Sequence, residues 1–169
     1  LNVTIPFKQQ VLDHVEPDAL AARIGAVNTV DFSTSPPTGH NTDAGGARRA
    51  LLEHDVRLDG ARAVVVGAGG AARAIATVLV DEGATVTIAN RTASKARALA
   101  EDLDADATGG GLDELDAAVP MANLLVNATS VGMEEDASPV PASALHADLT
   151  VMDAVYRPLE TRLLRDAAD

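Results

Sequence analysis

Lysine is nearly absent from this 169-residue chain, which holds Lys8 and Lys95 beside eleven arginines. An ammonium that is desolvated can lose its proton and so act as an acid or a base, whereas a guanidinium cannot. Lys8 follows Pro6-Phe7 and is the first candidate for proton transfer. Asp43 ends the run Asn41-Thr42-Asp43, just ahead of a helical pattern, where it could pair with that ammonium and orient it. The plainer readings are a surface lysine and a helix-capping aspartate, and one carboxylate can both cap and pair.

A second group of residues points to phosphate chemistry. Gly67-Ala68-Gly69-Gly70-Ala71-Ala72 is a G-x-G-x-x-A turn placed between the apolar run Ala63-Val64-Val65-Val66 and an Ala-rich helical stretch. In that context the glycines permit a tight turn and let a pyrophosphate approach the amides at a helix N-terminus. The alternative is a tight strand-to-helix turn that binds nothing. An NAD site sets an acid about 20 residues further on to hold the ribose 2′-hydroxyl. Here that position reads Asn90-Arg91-Thr92, followed by Lys95. No carboxylate repels a 2′-phosphate, and Arg91 offers it a planar cationic fork. Were these cations mere decoration of a helix start, they would oppose the helix dipole. NADP is therefore expected over NAD, and an adenosyl-dependent methyltransferase would also want an acid there. His14, His40, His54 and His146 lack ligand spacing and read as solvated, so no metal site is expected. A G-x-S-x-G elbow is absent. The glycosylation-like triplets at Asn2, Asn90 and Asn127 read as polar turns at strand ends.

The elements that must hold these groups are legible as patterns. Leu1-Asn2-Val3-Thr4-Ile5 alternates like a strand until Pro6, and a chain opening inside such a segment reads as part of something longer. Residues 26–32 form a second extended stretch, with a loop expected at 33–39. A helix is expected from Ala47 to His54, with Ala47, Ala50 and Leu51 on one face. After residue 61 the texture becomes apolar strands at 63–66, 85–89, 123–127 and 149–153. Helical stretches at about 70–82, 93–103, 112–119 and 159–168 separate and follow them. Strands apolar on both faces, alternating with helices, predict an α/β fold with a doubly wound parallel sheet of Rossmann type. The Asp-rich segment 102–106 and Gly109-Gly110-Gly111 read as loops. The change of texture divides residues 1–44 from residues 45–169, the second reading as an NADP-binding domain.

Composition narrows the classes. With 47% apolar residues the chain can build a core, and with no cysteine it has neither disulfides nor thiol chemistry. Its longest apolar runs fall short of the ~18 residues of a membrane span, and no signal peptide opens it, so a soluble, cytoplasmic protein is expected. Twenty-five acids, 17 of them Asp, against 13 bases give a net charge of −12. That field disfavours nucleic acid and anionic membranes as partners. Dense aspartate with little lysine reads as adaptation to a salt-rich, halophilic cytoplasm, where screening quenches self-repulsion; an ordinary acidic protein is the alternative.

Taken together, Asn2-Val-Thr-Ile-Pro-Phe-Lys8, Gly25-Ala-Val-Asn-Thr29, Asn41-Thr-Asp43, Gly67-Ala-Gly-Gly-Ala71, Asn90-Arg-Thr92, Asn127-Ala-Thr-Ser130 and Asp153-Ala-Val-Tyr156 resemble the shikimate dehydrogenase family. The segments run in family order from end to end, well beyond a glycine turn alone. The resemblance implies NADPH-dependent, reversible reduction of 3-dehydroshikimate to shikimate in aromatic amino-acid biosynthesis, and it makes residues 1–44 the tail of an α/β substrate-binding domain. Lys8 matches the catalytic lysine, and Asp43 matches the carboxylate that pairs with it and binds substrate. Thr4, Asn28 and Tyr156 match further substrate-binding positions. Gly67, Ala68, Gly69, Gly70 and Ala71 match the pyrophosphate turn. Asn90, Arg91, Thr92 and Lys95 match the adenosine-phosphate clamp, and Ala154 matches a nicotinamide contact. The family's N-terminal serine motif and C-terminal glutamine contact fall outside this sequence. Three alternatives stay open: a quinate/shikimate dehydrogenase using NAD or broader substrates, a nucleotide-binding module without catalysis, and, less fittingly, a methylenetetrahydrofolate dehydrogenase. The oligomeric state is open, a homodimer being one option.

Overall fold

The computed structural model describes residues 1–103 and 106–169. Its chain order is a turn at Gln10–His14, β1 (Glu16–Pro17), α1 (Ala19–Ile24), β2 (Thr29–Asp31), β3 (Thr38–His40) and α2 (Asp43–Glu53). Then come β4 (Arg62–Val66), α3 (Gly70–Asp81), β5 (Thr85–Ala89), α4 (Ala93–Asp102), β6 (Ala107–Gly110), α5 (Leu115–Ala118), β7 (Leu124–Asn127), β8 (Thr150–Asp153) and α6 (Arg162–Ala168). Strands β6-β5-β4-β7-β8 lie in that order, all parallel, while β1-β3-β2 form a small mixed sheet. The large sheet is of Rossmann type, with its order reversing between β4 and β7.

Both faces of the large sheet are covered, and the strand sequences show why. Val65, Val86, Ile88, Leu124 and Val126 point into one core with Ile75 and Leu79 of α3 and Leu99 of α4. Their neighbours Val64, Val66 and Leu125 point the other way, against Leu115, Val119 and Leu163. Strands buried on both sides read as continuous apolar runs, which is how they appear in sequence. Helix α2 joins the two sheets: Ala44 packs with Ile24, Ala74 and Val78, and Ala47 and Leu51 enter the large core.

Several expectations need correction. Residues 1–5 do not form a strand beyond one bridge, Asn2 with Thr29. The Val3 amide donates to Asn28 O at 2.7 Å, but Phe7 N turns back to Thr4 O at 2.9 Å, and Pro6 between them has no donor. The loop after Phe32 ends at Pro37, because Thr38 and Gly39 enter β3; a Cβ at Gly39 would sit 2.6 Å from Val15 Cγ2. Helix α2 starts at Asp43 rather than Ala47. The stretch 112–119 is helical as expected but irregular: a 3₁₀ turn at Leu112–Glu114, α5, and a 3₁₀ turn at Val119–Met121 that includes Pro120, which has no amide to donate. Helix α6 begins at Arg162, where Thr161 Oγ1 accepts from Leu164 N. Gly109 and Gly110 lie in edge strand β6, not a loop. Helix α4 presses on that strand so closely that a Cβ at Gly109 would lie 2.2 Å from Ala96 O. Of the Asp-rich segment read as a loop, Asp102 closes α4 and residues 104–105 lie outside the described residues.

Candidate functional site

Lys8 Nζ lies 2.6 Å from Asp43 Oδ2, with side chains 14% and 28% exposed. Three residues make the pair possible. Asn41 Oδ1 accepts from the amides of Asp43 and Ala44 at 3.0 and 3.3 Å, so a side chain outside α2 does the capping. That corrects the reading of Asp43 as a cap: it is the first helical residue, and its carboxylate is left for other partners. Asn28 takes one of those places, donating from Nδ2 to Asp43 Oδ1 at 2.8 Å and to Thr42 Oγ1 at 2.9 Å. Asn28 Oδ1 in turn accepts from Thr42 N at 3.0 Å, which fixes its amide orientation. The result is a buried asparagine holding a carboxylate against an ammonium, a geometry suited to keeping a proton donor aimed.

Lys8 also lines a cleft of about 360 Å³ with Gly67 to Gly70, Asn90, Arg91, Thr92, Lys95 and the turn Ala128 to Ser130. The cleft stands at the carboxyl ends of β4 and β7, where the sheet order reverses and ligands of open α/β sheets bind. Gly67 has φ +119°, and a Cβ there would lie 2.9 Å from Ala128 O, so only glycine serves. Gly69 is different. Its φ of −88° suits any residue, and a Cβ would meet nothing of the protein within 4 Å. The space over its backbone is open, and no side chain caps α3 there. Arg91 and Lys95 are exposed at the other end of the cleft and form no ion pair among the described residues. An open glycine backbone at a helix N-terminus and unpaired cations beyond it fit a dinucleotide with an extra phosphate.

The remaining expected residues divide. Asn28 and Asp43 stand behind Lys8, outside the cleft lining. Ala71 sits partly buried on the first turn of α3. Ala154 donates its amide to Asn127 O at 2.9 Å, beside the 128–130 turn. Thr4 is exposed and Tyr156 is 71% exposed, and neither belongs to the cleft lining. His40 is 39% exposed and also sets its Nδ1 2.7 Å from Asp18 Oδ2. The sequence reading missed a buried network at the ends of β7 and β8. Asn127 is fully buried; its Oδ1 accepts from Thr129 N and Oγ1, and its Nδ2 donates to Asp153 Oδ1 at 2.9 Å. Asp153 Oδ2 accepts from buried Thr161 Oγ1 at 2.7 Å. Polar residues ending two apolar strands were the available signal, as a buried amide must find partners.

Comparisons with known proteins agree along the chain. The family described as Shikimate / quinate 5-dehydrogenase matches residues 49–134, and the shikimate dehydrogenase substrate binding domain matches residues 1–30. A shikimate dehydrogenase (NADP(+)) of Haloarcula marismortui is 67% identical over 99% of this chain, which covers 63% of that relative. Among solved structures, shikimate 5-dehydrogenase of Thermus thermophilus in complex with NADP(H) and shikimate is 44% identical, with TM-score 0.85. It aligns with 99% of this chain, which covers 62% of it. Quinate dehydrogenase of Corynebacterium glutamicum in complex with NAD is 36% identical with TM-score 0.87, over 99% of this chain and 63% of its own. The chain thus spans less than two thirds of the length of the relatives it matches.

Proposed function

This chain belongs to the shikimate / quinate 5-dehydrogenase family, and from that premise we propose that the whole protein is an NADP-dependent shikimate dehydrogenase, reducing 3-dehydroshikimate to shikimate reversibly. The observation that carries the reading is the Lys8–Asp43 pair, 2.6 Å apart, with Lys8 facing the same cleft as the glycine turn and the Arg91–Lys95 cations. When bound, NADPH supplies the hydride that reduces the substrate carbonyl. Negative charge then grows on the carbonyl oxygen, and Lys8 holds the proton that oxygen needs. Asp43 orients the ammonium and binds substrate hydroxyls, and Asn28 keeps that carboxylate in line. Thr4 and Tyr156 complete the substrate contacts. In the reverse direction Lys8 takes the proton as the alcohol is oxidised.

The chain's own residues would hold the cofactor by parts. The backbone of Gly67, Ala68, Gly69, Gly70 and Ala71 receives the pyrophosphate at the N-terminus of α3. Asn90, Arg91, Thr92 and Lys95 take the adenosine 2′-phosphate, and the backbone at Ala154 meets the nicotinamide. Residues 1–44 act as part of the substrate-binding unit and residues 45–169 as the cofactor unit, the division falling within α2. The acidic composition and the likeness to a halophilic archaeal relative support work in a salt-rich cytoplasm. No helix among the described residues is long and apolar enough to cross a membrane.

The test is a rate comparison on the protein carried to the full length of its relatives, in multimolar KCl. Shikimate and quinate are each offered with NADP⁺ and NAD⁺ while nicotinamide reduction is followed by absorbance. Rapid oxidation of shikimate with NADP⁺ alone is the expected result. Comparable rates on quinate or with NAD⁺ would move the protein to the broader branch of the family. A folded protein with no turnover would leave a nucleotide-binding module.

A further inference from the structure

The G-x-G-x-x-A pattern accounts for Gly67, Gly69 and Ala72 but leaves position 70 free. Gly70 is the first residue of α3, and its φ is outside the left-handed region, so its backbone does not call for glycine. Alanine is the better helix former at such a position. The space around it supplies the missing reason. A Cβ at Gly70 would lie 2.8 Å from Lys8 Cβ, 3.0 Å from Lys8 Cδ and 3.4 Å from Lys8 Cγ. At Gly69, one residue earlier, a Cβ would meet nothing.

Lys8 cannot step aside to make room. Its backbone is anchored, since Lys8 O accepts from Val27 N at 2.7 Å. Its ammonium is anchored too, on Asp43. The nearest contact is Cβ, which moves only with the backbone. We infer that Gly70 is a positioning residue for Lys8: its missing side chain is the slot in which the lysine stem lies, allowing the ammonium to reach both Asp43 and the cleft. The glycine at 70 then serves the proton donor on the small-sheet side, while the glycine at 69 serves the phosphate. The inference rests on the reading of Lys8 as the proton donor, and it makes the start of α3 common ground for substrate and cofactor.

Steady-state kinetics on the full-length protein separate the two roles. Gly70→Ala is expected to lower kcat at least about tenfold while the KM for NADP⁺ stays within about threefold. Gly69→Ala is expected to raise the KM for NADP⁺ instead. A Gly70→Ala variant with normal kcat and weakened NADP⁺ binding would overturn the proposal. A second readout needs no turnover. With [¹³Cε]lysine labelling of the full-length protein, the Lys8 and Lys95 signals are assigned by Lys→Arg replacement at each position, and Lys95 is the internal control. Gly70→Ala is expected to displace the Lys8 signal and leave Lys95 in place; an unmoved Lys8 signal refutes the slot. Should the wild type fail to oxidise shikimate, the functional reading falls, and the lysine signal still decides the slot. If Gly70→Ala does not fold, Lys8→Gly with Gly70→Ala removes the colliding Cβ as well. Recovery of folding in that double variant supports the contact, and failure to recover overturns it.

Discussion

Asp43 keeps two donors, Lys8 Nζ and Asn28 Nδ2, because the amides of α2's first turn are satisfied by Asn41. Had Asp43 been the cap, one of its oxygens would face the helix and the ammonium would lose a fixed partner. This division of labour makes Lys8 separable from cofactor binding. Lys8→Ala in the full-length protein should reduce turnover by about 10²- to 10⁴-fold, the usual contribution of a positioned acid or base. NADP⁺ affinity, measured by fluorescence or calorimetry, should stay nearly constant, because the phosphate-facing residues are untouched. A variant with undiminished turnover would remove Lys8 from the mechanism. Asn41→Ala removes the cap, together with the bond from Asn41 Nδ2 to Ala26 O at 3.0 Å. It should cost about 1 kcal/mol in urea unfolding, the ordinary loss on removing a capping side chain. It should also lower turnover, because Asp43 would then be drawn toward the orphaned amides; intact stability would show that another group caps α2.

Elements differ in how far their residues announce them. β4, β5, α3 and α4 lie within about a residue of their apolar patterns, since strands buried on both faces and helices with one buried face leave long signals. The segment around β1 and α1 went unread: a two-residue strand and a six-residue helix are too short for periodicity to show. The punctuation was nevertheless there, with Asp18 capping α1 and Gly25 ending it at φ +69°. The site divides the same way. The glycine turn, Arg91 and Lys95 are contiguous motifs and were visible, whereas Asn127, Asp153 and Thr161 meet only once the strands pair. Asp18 yields the pH prediction. The Ala21 amide, then His40, holds its carboxyl below the ordinary range, against the opposing effect of burial. A depressed carboxyl stabilises the fold above the unfolded pKa, and that stabilisation is lost as acid reaches the folded pKa. Asp18→Asn should therefore flatten the acid limb of a stability-pH curve below about pH 4. An unchanged acid limb would exclude the α1 cap from acid unfolding.

At the scale of the whole molecule two electrostatic effects oppose each other. Ion pairs stitch the helices together: Arg23–Asp81 and Arg48–Glu82 tie α1 and α2 to α3, and Arg73–Asp102 ties α3 to α4. Salt weakens such pairs, but exposed ones contribute only about 0–1 kcal/mol each. Against them stands a net charge of −12 on a small chain, whose self-repulsion salt relieves. Because each of these pairs has at least one well-exposed partner while the repulsion acts over the whole surface, relief of repulsion should win. The Tm should rise with KCl, most steeply as the Debye length shrinks from ~10 Å at 0.1 M to ~3 Å at 1 M. Thermal unfolding across that range checks the sign, and Arg48→Gln checks the cause. If repulsion dominates, the variant adds one uncompensated negative charge and should melt lower at 0.1 M KCl, the gap closing as salt is added. A Tm that falls with KCl in the wild type, and falls less in Arg48→Gln, would mean that the seam of ion pairs, not the acidic surface, sets how this molecule responds to salt.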